Sequence, residues 1–158
     1  MTVITTRDKI KTYAVSIIIP AALGAAVGLL TSRSMNYGDL VKPALAPPSI
    51  LFPIAWSILY VLMGISYGML DVKGLHDKET KTVYYAQLIV NLLWPIFFFV
   101  LKWRLFAFIW IVLLDVLVII MTVRFYKRDK TAGLLQLPYC AWVIFASYLN
   151  LGIYLLNI

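Results

Sequence analysis

The chain has 158 residues, of which 63% are hydrophobic, 15% aromatic and only 13% charged, with a formal net charge of +7 and a mean hydropathy of +0.90. A water-soluble domain carries about 25% charged residues, and the apolar residues here run in long blocks, so the solvent they face is lipid. A soluble enzyme, a disordered chain and a disulfide-stapled secreted module are excluded, the last because Cys140 is the only cysteine. Nucleic acid is not an expected partner, because the cations fall in short clusters between apolar blocks.

Stretches nearly free of charge predict five membrane-spanning helices, at approximately 12–32, 48–70, 82–101, 105–125 and 132–156. Each reaches or approaches the roughly 20 residues that cross about 30 Å of hydrocarbon, and none alternates as a barrel strand would. The expected fold is an all-α membrane protein, a five-transmembrane-helix bundle with the whole chain, 1–158, as one domain. In the first segment Arg7, Lys9 and Lys11 precede an apolar run with small residues at 21–26, a pattern a cleaved signal peptide would also show. The run continues through Leu30, longer than a signal core of about 7–15 residues, and Gly24 with Gly28 spaces two small residues for close helix approach. It is therefore read as a retained helix.

The loop from Arg33 to Ser49 carries Pro43, Pro47 and Pro48, which favour a stiff extended path suited to a lid, and Pro48 fits the first turn of the second helix. The second loop, 71–81, mixes charges and reads as a solvated turn. The third, Lys102-Trp103-Arg104, is so short that helices three and four must be antiparallel neighbours. Arg7, Lys9, Lys11, Lys73, Lys78, Lys81, Arg124, Lys127, Arg128 and Lys130 fall on one side, against Arg33, Lys42, Lys102 and Arg104 on the other. That bias places the N-terminus in the cytoplasm and the C-terminus outside, for a cell membrane.

Polar side chains inside a membrane point into the bundle, so they mark its interior. On helix three Gln87, Asn91, Trp94 and Phe98 share one face; on helix five Pro138, Trp142, Ala146 and Asn150 recur every fourth residue; on helix two Phe52, Trp56 and Tyr60 do the same. Core packing and interfacial anchoring explain such residues as well as a binding site does, and anchoring is the reading for Trp103 and Trp110. An aromatic wall with a few amides also suits a large, flat, mostly apolar ligand. Asp115 stands near the middle of segment four, where structural hydrogen bonding or proton coupling would explain it. The sole histidine, His76, lies in a loop, so no membrane-embedded imidazole exists to hold a haem. No metal and no cofactor is expected.

Tyr37, Leu40, Lys42-Pro43, Pro47-Pro48, Trp56, Leu59-Tyr60 and Met63-Gly64 resemble the translocator protein family, also called tryptophan-rich sensory proteins or peripheral benzodiazepine receptors (TspO/MBR). The resemblance continues through Gln87-Leu88, Asn91, Trp94-Pro95, Phe98-Phe99, Pro138-Tyr139, Trp142, Phe145-Ala146 and Leu149-Asn150, over nearly the whole chain. It implies a five-helix bundle, often a homodimer, whose pocket opens beneath the first loop and binds porphyrins, sterols or synthetic isoquinolines. Trp56, Trp142 and Ala146 match family pocket positions, with Tyr37 and Pro47 near the lid and Asn91 on helix three.

In some bacterial members the tryptophans matching Trp56 and Trp142 are associated with light- and oxygen-dependent breakdown of protoporphyrin IX, and other members look like transporters or regulators of tetrapyrrole level. Leu45 departs from the family's lid tryptophan, Thr82 and Ala86 stand at its helix-three dimer motif, and nothing after Lys130 is basic, which removes the C-terminal sterol-recognition segment. The expectation is a receptor or sensor binding a porphyrin-like ligand through Tyr37, Pro47, Trp56, Tyr60, Asn91, Trp94, Phe98, Trp142, Ala146 and Asn150. The alternatives are a porphyrin-degrading enzyme using Trp56 and Trp142, or a tetrapyrrole transporter.

Overall fold

The computed structural model describes residues 5–158. Helix α1, Thr6–Thr31, starts earlier than hydropathy suggests because Thr5 and Asp8 cap it reciprocally: the Thr5 hydroxyl accepts from the Asp8 N–H, and the Asp8 carboxylate accepts from the Thr5 N–H, both at 3.2 Å. Two short 3₁₀ turns, Ser32–Ser34 and Tyr37–Asp39, lead into the long first loop. Helix α2 is Leu51–Val72. Pro48 lies outside it, correcting the sequence reading. Its carbonyl accepts from the Leu51 N–H at 3.0 Å in the entering turn, and Pro53 is the proline in the first turn, where a helical N–H has no partner to lose.

Asp77 caps α3, Lys78–Pro95, accepting from the Thr80 N–H at 2.7 Å. Pro95 cannot donate back along the helix, and the chain widens into a π-helical turn, Ile96–Val100. Helix α4 is Arg104–Arg128. The fifth span comprises α5, Lys130–Leu134, and α6, Leu137–Leu156, separated at Leu135-Gln136. Gly133 makes the α4–α5 corner possible: a Cβ there would lie 2.4 Å from the Tyr126 Cα.

All five spans, α1 to α4 and the α5–α6 pair, are long and apolar enough to cross a membrane, and among the described residues there is no strand. Their outward faces carry exposed Ile18, Leu29, Ile58, Ile89, Val112 and Ile144, as lipid contact requires. The protein is an integral membrane five-helix bundle. Packing runs from α1 to α2, from α2 to α5 and α6, from α6 to α4, from α4 to α3 and from α3 back to α1, closing a ring. The short third loop does make α3 and α4 neighbours.

Glycine sets the closest approach. A Cβ on Gly64 would lie 2.5 Å from both the Ile17 Cα and the Ser16 carbonyl oxygen, so α1 and α2 touch backbone to backbone. Of the predicted Gly24 and Gly28 pair, only Gly24 is used in this way, against the Tyr60 ring; nothing lies within 4 Å of a Cβ on Gly28.

The second loop is tied down as well as solvated. His76 is 3% exposed at its side chain and packs against Tyr67 with ring centroids 4.0 Å apart and the rings tilted by 39°. Lys73 pairs with Asp129 and Arg128 with Asp77, while Arg124 reaches Glu79 at 2.6 Å. These pairs join the α2–α3 loop to the α4–α5 corner.

Candidate functional site

The first loop is fastened over one end of the ring. Tyr37 is buried, its hydroxyl donates to the Pro47 carbonyl at 3.2 Å, and the Lys42 ammonium lies 4.8 Å from its ring centroid. Burial lifts the Tyr37 hydroxyl above the usual tyrosine range, so it remains a donor. From α6, Tyr148 donates to the Ala44 carbonyl at 2.8 Å, and the Asn157 amide accepts from the Val41 N–H at 3.0 Å and donates to the Val41 carbonyl at 2.8 Å. Leu45 sits at the tip with φ +66° and is 83% exposed.

Beneath this loop lies a chain of rings. Tyr37 meets Phe52 edge-on at 5.1 Å, and Phe52 meets Trp142 edge-on at 6.0 Å. Trp94 stacks on Phe98 at 5.2 Å, and Phe98 shares its cluster with Tyr37 and Ile153. Ala146 is buried one turn from Trp142, and Asn150 one turn further is 1% exposed. The indole N–H groups of Trp94 and Trp142 and both amide atoms of Asn150 are buried without a hydrogen-bond partner. Four polar atoms in such surroundings are expensive unless something else meets them.

Deeper in the ring four polar side chains engage one another, although both amide atoms of Gln136, at the foot of α6, are buried without a partner. The Tyr60 hydroxyl donates to the Asn91 Oδ1 at 2.7 Å, the Asn91 Nδ2 donates to the Tyr139 hydroxyl at 2.6 Å, and that hydroxyl donates to the Gln87 Oε1 at 2.8 Å. The Gln87 Nε2 then donates to the Met63 sulfur at 3.3 Å. Trp56 covers this network, with its ring 5.7 Å from Tyr60 and 6.2 Å from Tyr139.

The faces read on α2 and α3 thus converge, and the α6 face does so in part. Pro138 is exposed, and Tyr139, 1% exposed, holds the interior place instead. A strict four-residue step drifts about 40° per step, whereas the buried row Tyr139, Val143, Ala146, Asn150 and Ile153 alternates four and three. That mixed spacing is the signal that would have found Tyr139. Asp115 accepts from the Ser147 hydroxyl at 2.6 Å through one carboxylate oxygen, while the other is buried without a partner. Trp110 donates to the Val90 carbonyl at 2.8 Å, so it is anchored to α3, while Trp103 is exposed.

Two clefts open on the outside of the ring, at opposite ends of α4. One, of about 600 Å³, is lined by Lys102, Trp103, Arg104 and Phe106 together with Tyr154 and Asn157. The other, of about 540 Å³, lies along Ile119 to Arg128 beside Thr80. Among the described residues, no three histidine, cysteine or acidic side chains come together to hold a metal.

A ring of five membrane helices, closed over an aromatic interior by a proline-bearing loop, defines an all-helical integral membrane protein. A family model described as the TspO/MBR family matches residues 16–156, and the chain belongs to that family. It is 41% identical to the tryptophan-rich protein TspO of Archaeoglobus fulgidus over 90% of this chain and 94% of that one. Its identity to the tryptophan-rich protein TspO of Chlorobaculum tepidum is 36%, over 96% and 99%. With the human translocator protein it shares 30%, over 72% of this chain and 70% of the relative.

Proposed function

We propose that the protein is a receptor or sensor for a flat, apolar, porphyrin-like molecule, taken up beneath the first loop and used to regulate tetrapyrrole level. The observation that carries this reading is the set of unpartnered polar atoms on Trp94, Trp142 and Asn150 among the rings of Phe52, Phe98 and Tyr37. Rings supply faces for stacking, while two indole N–H donors and one amide suit the polar edge of a ligand. Trp56, Tyr60 and Asn91 form the floor, Ala146 leaves room against the wall, and Pro47 with Tyr37 forms the roof. Arg33 and Lys42, both exposed at the rim, are placed to meet carboxylate substituents. The charge bias supports an N-terminus in the cytoplasm and a cell-membrane location. The exposed α3 positions Thr82, Tyr85 and Ile89, flanking Ala86, offer the face for a homodimer.

The test is a titration of the purified protein with protoporphyrin IX, followed by tryptophan fluorescence in the dark. Saturable quenching that is lost in the Trp56→Phe/Trp142→Phe double variant is expected. Quenching that never saturates, or that survives in the double variant, overturns the reading. The same samples under light and oxygen separate receptor from enzyme: the receptor leaves the porphyrin absorbance unchanged.

A further inference from the structure

The cleft at the far end of α4 has a composition that the interior site does not use. Its wall is Ile119, Ile120 and Val123, and its rim is Arg124, Lys127 and Arg128, with Thr80 of α3 on the other side. The apolar wall belongs to the membrane span, and Arg124 is the first cation after it, so the cleft straddles the boundary between hydrocarbon and headgroups. Arg124 and Arg128 are each aimed by one carboxylate, Glu79 and Asp77. A guanidinium has five N–H donors, so each keeps others free. Lys127 is exposed and has no carboxylate partner among the described residues. The rim therefore holds three cations against two carboxylates.

Thr80 adds an independent indication. It is 1% exposed, its hydroxyl has no hydrogen-bond partner, and it lines the cleft. A hydroxyl buried in that way calls for an acceptor.

We infer that this cleft is a binding site for an anionic phospholipid, its headgroup held by Lys127, the two arginines and the Thr80 hydroxyl, and an acyl chain lying along Ile119, Ile120 and Val123. A zwitterionic lipid offers the same chain without the net charge that the rim matches. The site lies on the outer surface of the ring and is independent of the proposed interior ligand.

The test uses the full chain in detergent, with native mass spectrometry counting retained phosphatidylglycerol and phosphatidylcholine of identical acyl chains. Preferential retention of phosphatidylglycerol is expected. Lys127→Ala should lower it about five-fold, the equivalent of one basic residue at an anionic surface. Thr80→Val should lower it too, leaving phosphatidylcholine unchanged, whereas Lys78→Ala, outside the cleft but on the same side, should have little effect. Equal retention of the two lipids overturns the proposal. So does an equal loss in Lys78→Ala, which would mean diffuse surface charge. Displacement of the lipid by millimolar inorganic phosphate would make the cleft a free-anion site and likewise overturn it.

Discussion

Two polar regions lie in the same ring of helices, and each sets a buried asparagine among aromatic side chains. In the lower one, Tyr60, Asn91, Tyr139 and Gln87 satisfy one another across α2, α3 and α6. In the upper one, Trp94, Trp142 and Asn150 leave their buried polar atoms without partners. A polar group inside a membrane protein is costly until something meets it, so the first arrangement contributes to the fold, and the second is the one on which the proposed ligand site rests. Burial and residue type do not tell a structural amide from a recognition amide. The partner does.

The strongest way to break this comparison is Asn91→Leu. It removes the acceptor of Tyr60 and the donor to Tyr139, leaving the Tyr60 hydroxyl without a partner and the Tyr139 hydroxyl with Gln87 alone, at an expected cost of about 1–3 kcal/mol in unfolding free energy. Chemical unfolding in detergent measures it, and an unchanged midpoint would mean that the network does not hold the helices. Asn150→Leu is the complementary case, because it deletes an amide that has no partner. The empty protein should gain about 1–2 kcal/mol, while affinity for protoporphyrin IX should fall. Opposite signs for stability and affinity are the signature of a recognition group. A loss of both would place Asn150 with Asn91.

The sequence reaches the five spans because hydrocarbon thickness dictates their length, and it reaches Asn91, Trp94 and Phe98 because polar and aromatic residues stand out on a helix that is otherwise uniformly apolar. It misses Tyr139 because lipid-facing and core-facing positions are equally hydrophobic on α6, so a small error in helical step goes uncorrected by any polar outer face. Gly64 is hidden for a similar reason: Gly24 and Gly28 look like a motif, whereas the contact at Gly64 needs the partner backbone at Ile17 to be known. The division between satisfied and unpartnered amides is beyond sequence altogether, since it depends on which side chains from three helices meet.

The loop above the upper region sharpens the contrast at smaller amplitude. Leu45 holds a left-handed backbone conformation that costs a branched residue about 1–2 kcal/mol, and glycine returns part of any gain through its more flexible unfolded chain. Leu45→Gly should therefore stabilise the closed loop by a net of about 0.5–1 kcal/mol. Slower hydrogen exchange at Val41, whose N–H is tied to Asn157, is the expected readout, and faster exchange would show that the exposed leucine itself holds the loop.

The smallest effect tests the same principle at the opposite end, where the unpartnered atom can titrate. The His76 Nδ1–H donates to Asp71 at 3.2 Å, but Nε2 is buried with nothing to meet it. Protonating Nε2 would bury an unpaired N–H on a charged ring, so desolvation lowers the His76 pKa, and the neighbouring Asp71 only partly offsets it. A base whose folded pKa lies below its unfolded value, 6.5, binds more protons when unfolded. Stability then rises with pH between the two values and is lost as pH falls through about 6.5 towards the lower one. His76→Gln, which does not titrate, should flatten that slope as pH falls below about 7.5. The carboxylates of Asp77 and Asp129 are held below the ordinary range by their caps and ion pairs, so they leave this window undisturbed. A slope that persists in the variant would place the titrating group elsewhere and remove His76 from the comparison.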